Sequence, residues 1–284
     1  SDNRNEGIMH MKRNILIMIS SMFYLLNAEV ININNKKTDL TLINHGNYIE
    51  GSISIGNLEY YNITYKENEF VTLTIPGYHF SQEVGLPRLP QMNELIELPQ
   101  DAIPRIEILS QDFSYYKLDE LNINNPIFPH QPSLSKSQDI NDIQLYWDKK
   151  YYNNNSYNDK ELIRIDEKGT LRSIRIGNLN INPINYNPVD KTLKVISDIQ
   201  FNIYFDEANY IKTNEFKEKY HSLYFNSIYK NISNYNPIIS KDDLVNYPVT
   251  YLIITNPIFE NSLSEFIDWK TQKGYKVVVG NTAE

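Results

Sequence analysis

Between residues 30 and 205 apolar residues recur with a period of two, and this alternation constrains the fold more than any other feature. Over residues 199–205, Ile199, Phe201, Ile203 and Phe205 share one face while Gln200, Asn202 and Tyr204 share the other, as in a half-buried strand. Short apolar runs recur at 53–55, 70–75, 94–98 and 105–109, separated by Gly, Pro and Asn. Segment 161–176 reads as a hairpin, with Asp166 to Gly169 as the turn and Ile174 and Ile176 pointing inward. No stretch of this region has helical period. The expected fold class is mainly β, an antiparallel β-sandwich. Pro126, Pro129 and Pro132 and the polar run 151–159 mark the expected long exposed loops.

Beyond residue 210 the pattern changes. Residues 213–230 place Phe216, Tyr220 and Leu223 on one helical face, extended by Tyr224 and Ile228, and 234–248 is a linker by composition. Residues 249–255 are a continuous apolar run, expected of a strand covered on both faces. A helix should follow from a capping box at Ser262 and Glu265, carry Leu263, Phe266 and Ile267 inward and end at Gly274, before a second apolar strand at 275–279. That is a βαβ unit, the incomplete start of an α/β domain. The expected organisation is 1–28 upstream residues and signal, 29–210 sandwich, 211–248 helical connector and linker, and 249–284 the α/β start.

At the N-terminus, residues 1–10 read as sequence ahead of an initiator at Met9 or Met11. Lys12 and Arg13 precede an apolar run from Ile15 to Leu26, shorter than the roughly 20 residues that span a bilayer. A basic flank, a short apolar run and a small residue at its end fit a secretory signal cleaved after Ala28, placing the product outside the cell or on its surface.

The 284 residues contain no cysteine, so no disulfide, cysteine zinc site or cysteine nucleophile lies within them. A net charge of −8 argues against a nucleic-acid partner. None of His10, His45, His79, His130 and His221 stands at metal-ligand spacing, and the pairs Asp119-Glu120, Asp166-Glu167 and Asp242-Asp243 lack calcium-loop spacing. With no phosphate-binding glycine loop and no serine nucleophile elbow either, no catalytic, cofactor-binding or metal residue is assigned in this chain. The 37 asparagines and abundant tyrosine fit an AT-rich genome as well as any function. Tyrosine doublets at 60–61, 115–116 and 151–152 leave open a second reading, a secreted adhesion or carbohydrate-binding sandwich without enzymatic activity.

Three segments carry a family resemblance. Residues 83–102, EVGLPRLPQMNELIELPQDA, resemble a segment of the propeptides of gingipain-type cysteine peptidases. Residues 169–195 resemble the most characteristic stretch of those propeptides, through Gly169, Arg172, Arg175, Ile176, Asn182, Pro183 and Tyr186. Residues 247–279 are similar to the first βαβ unit of the peptidase domain, with Trp269-Lys270 and Lys273-Gly274 in place. The resemblance implies a secreted cysteine endopeptidase precursor, whose prodomain assists folding and keeps the zymogen latent until it is cleaved off. It implies a caspase-like catalytic domain whose His and Cys, and any calcium ligands, lie beyond Glu284, so this chain alone should be inactive. The implied partners are its own catalytic domain, protein or peptide substrates of the whole enzyme, and the bacterial secretion machinery. In some members a basic prodomain residue enters the specificity pocket. The corresponding loop here, 151–159, has neither Arg nor Lys, so the flanking Lys149, Lys150 and Lys160 are the candidates. Activation cleavage is expected between Lys230 and Pro248, with Lys241 as the candidate.

Overall fold

The computed structural model describes residues 28–138, 143–158, 160–222, 225–237 and 249–282. They form two compact units, one holding the chain to His221 together with Phe225–Asn236, the other built mainly from the C-terminal residues.

The first unit is β-rich and, among the described residues, its named strands pair with one another antiparallel throughout. One sheet runs β1 (Glu29–Asn32), β4 (Asn57–Tyr65), β5 (Asn68–Thr74). A second runs β6 (His79–Phe80), β7 (Pro90–Leu98), β10 (Ile174–Ile181), β9 (Ile163–Leu171). The third is built on the long β12 (Thr192–Asp206). Along one edge of β12 lie β11 (Ile184–Asn187) and then β3 (Tyr48–Ser54), with β2 (Asp39–Asn44) beyond β3; β8 (Ile103–Lys117) takes the other edge. The alternation predicted for β12 holds, because Ile199, Phe201, Ile203 and Phe205 are all buried. They join one core with Ile49, Ile53, Leu58, Leu73, Ile96 and Leu98. Phe201 lies flat on Gly51, where an added Cβ would stand 2.2 Å from the ring.

Three expectations change. The hairpin turn falls at Arg172–Ser173, because β9 continues to Leu171, and Gly169 instead marks a bulge opposite Ile176 and Gly177. A two-residue connection with Arg172 at φ +56° replaces the glycine-containing turn, and Gly169, at φ +129°, serves the bulge. Pro126 and Pro129 do not mark an exposed loop: Ile127, Phe128 and Pro129 are buried. That segment exchanges hydrogen bonds with β5, Val71 N–H to Pro126 O and Phe128 N–H to Val71 O.

The third change concerns the connector. It forms α2 (Tyr210–Tyr220) and the single turn α3 (Asn226–Tyr229), after the earlier single turn α1 (Lys149–Tyr152). α2 buries Thr213 and Lys217, leaving Tyr220 and Ile211 exposed, because its inward side chains meet polar partners. Leu223 and Tyr224 lie outside the described residues. Tyr229 is buried and Ile228 exposed, the reverse of the phase expected from sequence. Tyr229 packs with Ile174, Ile232 and the half-buried Ile176 in a small second core.

The second unit is a βαβ: β13 (Thr250–Thr255) pairs in parallel with β14 (Lys276–Asn281) across α4 (Pro257–Glu260), a 3-10 turn and α5 (Ser264–Gln272). The helical segment starts earlier than the capping box proposed. Asn256 Oδ1 caps Ile258 N–H and Pro257 occupies the first helical position, which Pro favours. The end falls at Gly274 as expected, with φ +88° and the paired bonds Tyr275 N–H to Lys270 O and Gly274 N–H to Thr271 O of a Schellman motif. β13 is covered on one face only among the described residues: Tyr251 and Ile253 are half-buried, Leu252 and Ile254 exposed.

Candidate functional site

The exposed platform at residues 149–160 carries all three lysine candidates, and the structure separates them. Asp148 Oδ1 caps α1, accepting from Lys150 N–H at 2.9 Å and Tyr151 N–H at 3.1 Å. Tyr151 O–H donates to Tyr186 O at 3.1 Å and Tyr152 O–H to Ile127 O at 2.6 Å, which root the helix in the core. The Asn-rich run is then laced to β11: Asn158 Oδ1 accepts from Tyr186 N–H and Asn155 Oδ1 from Asn187 Nδ2. Burial pushes the Tyr186 phenol up to about 12 and Tyr152 higher, so both stay protonated at neutral pH. Lys149 Nζ lies 3.0 Å from the Trp147 ring centroid, and Lys160 Nζ pairs with Glu83 at 2.6 Å. Lys150 is exposed with no ion-pair partner among the described residues. Ala28 is exposed directly before β1. Lys241 and the apolar run 15–26 lie outside the described residues.

The segments that carried the resemblance support this platform from beneath. Gly85 N–H donates to His130 O and accepts, through its carbonyl, from Asp148 N–H at 3.0 Å, which fixes the α1 cap. Gly85 sits at φ +83°, and a Cβ there would stand 3.2 Å from Asp148 N, so a side chain would strain the backbone and crowd the cap. Arg88 stacks its guanidinium 3.8 Å from the Phe80 ring. Asn182 Nδ2 donates to Glu161 O at 2.7 Å, closing the loop onto β10. Arg172 Nε donates to Tyr220 O, one of the terminal carbonyls of α2.

Arg175 holds Glu167 in a fork, Nε to Oε1 at 3.0 Å and Nη2 to Oε2 at 2.7 Å, while Nη1 donates to Pro99 O at 2.6 Å. The hydrogen bond from Arg175 holds the Glu167 carboxyl below its ordinary range. Its folded pKa is lower than its unfolded one, so its contribution is present above about pH 4.3 and is lost as pH falls through the folded value. Acid titration should therefore show β9–β10 resonances shifting below that pH, and Arg175→Met should move the Glu167 titration back up into the ordinary carboxylate range.

A third cluster was not legible in the sequence. Lys217 Nζ reaches Glu97 on β7 at 2.6 Å with both side chains 8% exposed, and also donates to Asn236 O at 3.2 Å. Burial pushes the Glu97 carboxyl up, against the pull of Lys217. Asn234 imitates a strand neighbour: its Oδ1 accepts from Glu97 N–H at 2.6 Å and its Nδ2 donates to Glu97 O at 2.9 Å. Ser233 N–H adds a bond to Leu95 O, and Asn44 Nδ2 holds Asn234 O. The connector is thus fastened to the sandwich through Asn236. The two ends of the ion pair are 120 residues apart. The only sequence signal was the helical spacing of Thr213 and Lys217.

Among the described residues no group of three or more His, Asp or Glu is placed to hold a metal ion. No described helix is long and apolar enough to cross a membrane. The geometry is that of an exposed segment fastened to a β-scaffold.

The family model described as Propeptide_C25 matches residues 45–238. Lys-gingipain HG66 of Porphyromonas gingivalis is 30% identical over 279 residues, 96% of this chain and 16% of the relative. Gingipain R1 of the same organism is 25% identical over 203 residues, 69% of this chain and 19% of the relative. The chain thus spans under a fifth of the length of these curated relatives. A structure solved for the zymogenic latency of gingipain K from Porphyromonas gingivalis superposes with a TM-score of 0.61 at 30% identity, covering 64% of this chain and 100% of that one. The complex of Porphyromonas gingivalis RgpB pro- and mature domains superposes at 0.55 and 20% identity, over 69% of this chain and 98% of that one, a likeness of fold. The adhesion alternative is not favoured by these relatives. With the family model spanning more than half its length, the chain belongs to the Propeptide_C25 family as a propeptide of gingipain type.

Proposed function

We propose that residues 29–236 are the prodomain of a secreted cysteine endopeptidase precursor, which assists folding of the peptidase domain and keeps it latent, and that 249–284 begin that peptidase domain. The observation that carries this reading is the match over the whole of a chain solved for zymogenic latency, together with a parallel βαβ unit following the sandwich. Latency of this kind is sound physics, because a tethered blocker acts at high effective concentration and a site aligned for attack is silenced until export.

In this reading the signal is removed after Ala28, the precursor leaves by the bacterial secretion machinery, and the mature enzyme acts on protein or peptide substrates outside the cell. Calcium, if used, binds in the peptidase domain. Lys150 is the residue we assign to the specificity pocket, since Lys149 and Lys160 are engaged within the prodomain. Activation follows a cut at Lys241, downstream of the fastened connector. N-terminal sequencing of the secreted mature enzyme from the full-length gene tests this: a start between residues 237 and 249 is expected, and one inside 29–236 contradicts it. The chain of 284 residues alone should hydrolyse no peptide substrate, and measurable thiol-dependent turnover by it contradicts the assignment.

A further inference from the structure

β8 is an outer strand. β12 pairs one of its edges from Ile103 to Lys117, and among the described residues no strand is paired with the other. An open edge of 15 residues is a template for another strand. Two such strands fit here because residues 103–109, IPRIEIL, are self-complementary about Ile106. Antiparallel pairing of two copies centred there sets Ile106 opposite Ile106, Arg105 opposite Glu107 and Pro104 opposite Ile108, the regular stretch ending at the bulge that Leu109 makes between Ile108 and Ser110.

The two faces of the strand keep these sets apart. Pro104, Ile106 and Ile108 line a groove of about 470 Å³ whose other wall carries Leu162, Ile163 and Ile165 together with the charged Glu161 and Arg164. On the opposite face Ile103, 57% exposed, lies beside the two charges. Arg105 uses Nε for Asp206 at 2.8 Å, which leaves its Nη groups as donors. Glu107 is exposed and has no ion-pair partner among the described residues. The register is selective. Centring on Arg105 sets Arg105 against Arg105, centring on Glu107 sets Glu107 against Glu107, and an odd shift sets charges against isoleucine.

We infer that β8 is a homodimer surface, pairing in this register with β8 of a second copy so that the third sheet continues across a two-fold axis. Pro104 lacks an N–H and is a residue that edge strands tolerate, so the inference places the contact on the remaining backbone and on the complementary side chains. The absence of cysteine makes the test clean. In the full chain, Ile106→Cys lies on the proposed axis, and Pro104→Cys with Ile108→Cys, the latter at a side chain 41% exposed, forms a second pair. Either should cross-link under mild oxidation about tenfold faster than Ile211→Cys on exposed α2, the factor a preference of about 1.4 kcal/mol gives. Adding Glu107→Arg should slow it by a similar factor, with circular dichroism showing the fold kept. Cross-linking no faster than at Ile211, indifference to Glu107→Arg, or a monomer in sedimentation at the highest soluble concentration would each overturn the inference.

Discussion

Replacing Lys217 by Met should lower the stability of the first unit by about 3–5 kcal/mol, because it strands the buried Glu97 carboxylate without its counter-ion. At about 2–4 °C per kcal/mol for a domain of this size, the melting temperature falls on the order of 10 °C. The double variant Glu97→Leu, Lys217→Met should recover most of that loss, since a buried ion pair replaced by apolar residues of similar volume is often neutral. Hydrogen exchange should divide the two effects. The double variant regains global stability while amides of 225–236 lose protection, because Asn234 and Ser233 depend on β7 being held against α2. A Lys217→Met chain that melts with the parent would show that the pair carries no weight.

Arg175→Ala should cost about 2 kcal/mol, the scale of charged hydrogen bonds lost with buried acceptors left behind. The side chain is 16% exposed and its Nη1 bond to Pro99 O at 2.6 Å closes the turn between β7 and β8. The bonds to Glu167, which is 48% exposed, contribute a smaller, solvent-screened part. Arg175→Lys should recover little, because an ammonium cannot serve the carboxylate fork and the turn carbonyl together. Thermal melts of the three proteins check this, and a melting temperature unchanged in Arg175→Ala would mean that this Arg acts elsewhere than in the fold.

Those two residues also show where sequence reasoning reaches. Strand alternation was legible wherever a strand has one buried face, as in β12, because the period-two pattern records burial directly. The hairpin turn was misplaced because Gly169 and the polar run beside it look like a turn, while the true turn uses Arg172 at positive φ and a bulge absorbs the glycine. The phase of α2 was misjudged for a related reason: the rule that apolar side chains point inward fails where an inward lysine finds a buried glutamate. Loop 151–159 reads as a polar exposed segment, yet Asn158 accepts from the Tyr186 backbone N–H and Asn155 from the Asn187 side chain, since amide side chains can serve as a strand's partners. At the candidate site, sequence supplied the three lysines and geometry distinguished Lys150 from the two already engaged. The resemblance in residues 83–102 and 169–195 identified the family while leaving open what those residues do. Gly85 and Asn182 prove to be supports of the platform, Arg172 of the connector and Arg175 of the turn between β7 and β8.

The central claim is that the first unit silences a peptidase domain, and inhibition in trans tests it most directly. Residues 29–236, produced separately, should inhibit the processed peptidase of the same precursor in a saturable way. Lys150→Ala should weaken that inhibition about tenfold or more, as loss of one charged contact worth at least about 1.4 kcal/mol implies, without lowering the melting temperature. Full peptidase activity in the presence of excess, correctly folded 29–236 would contradict the account.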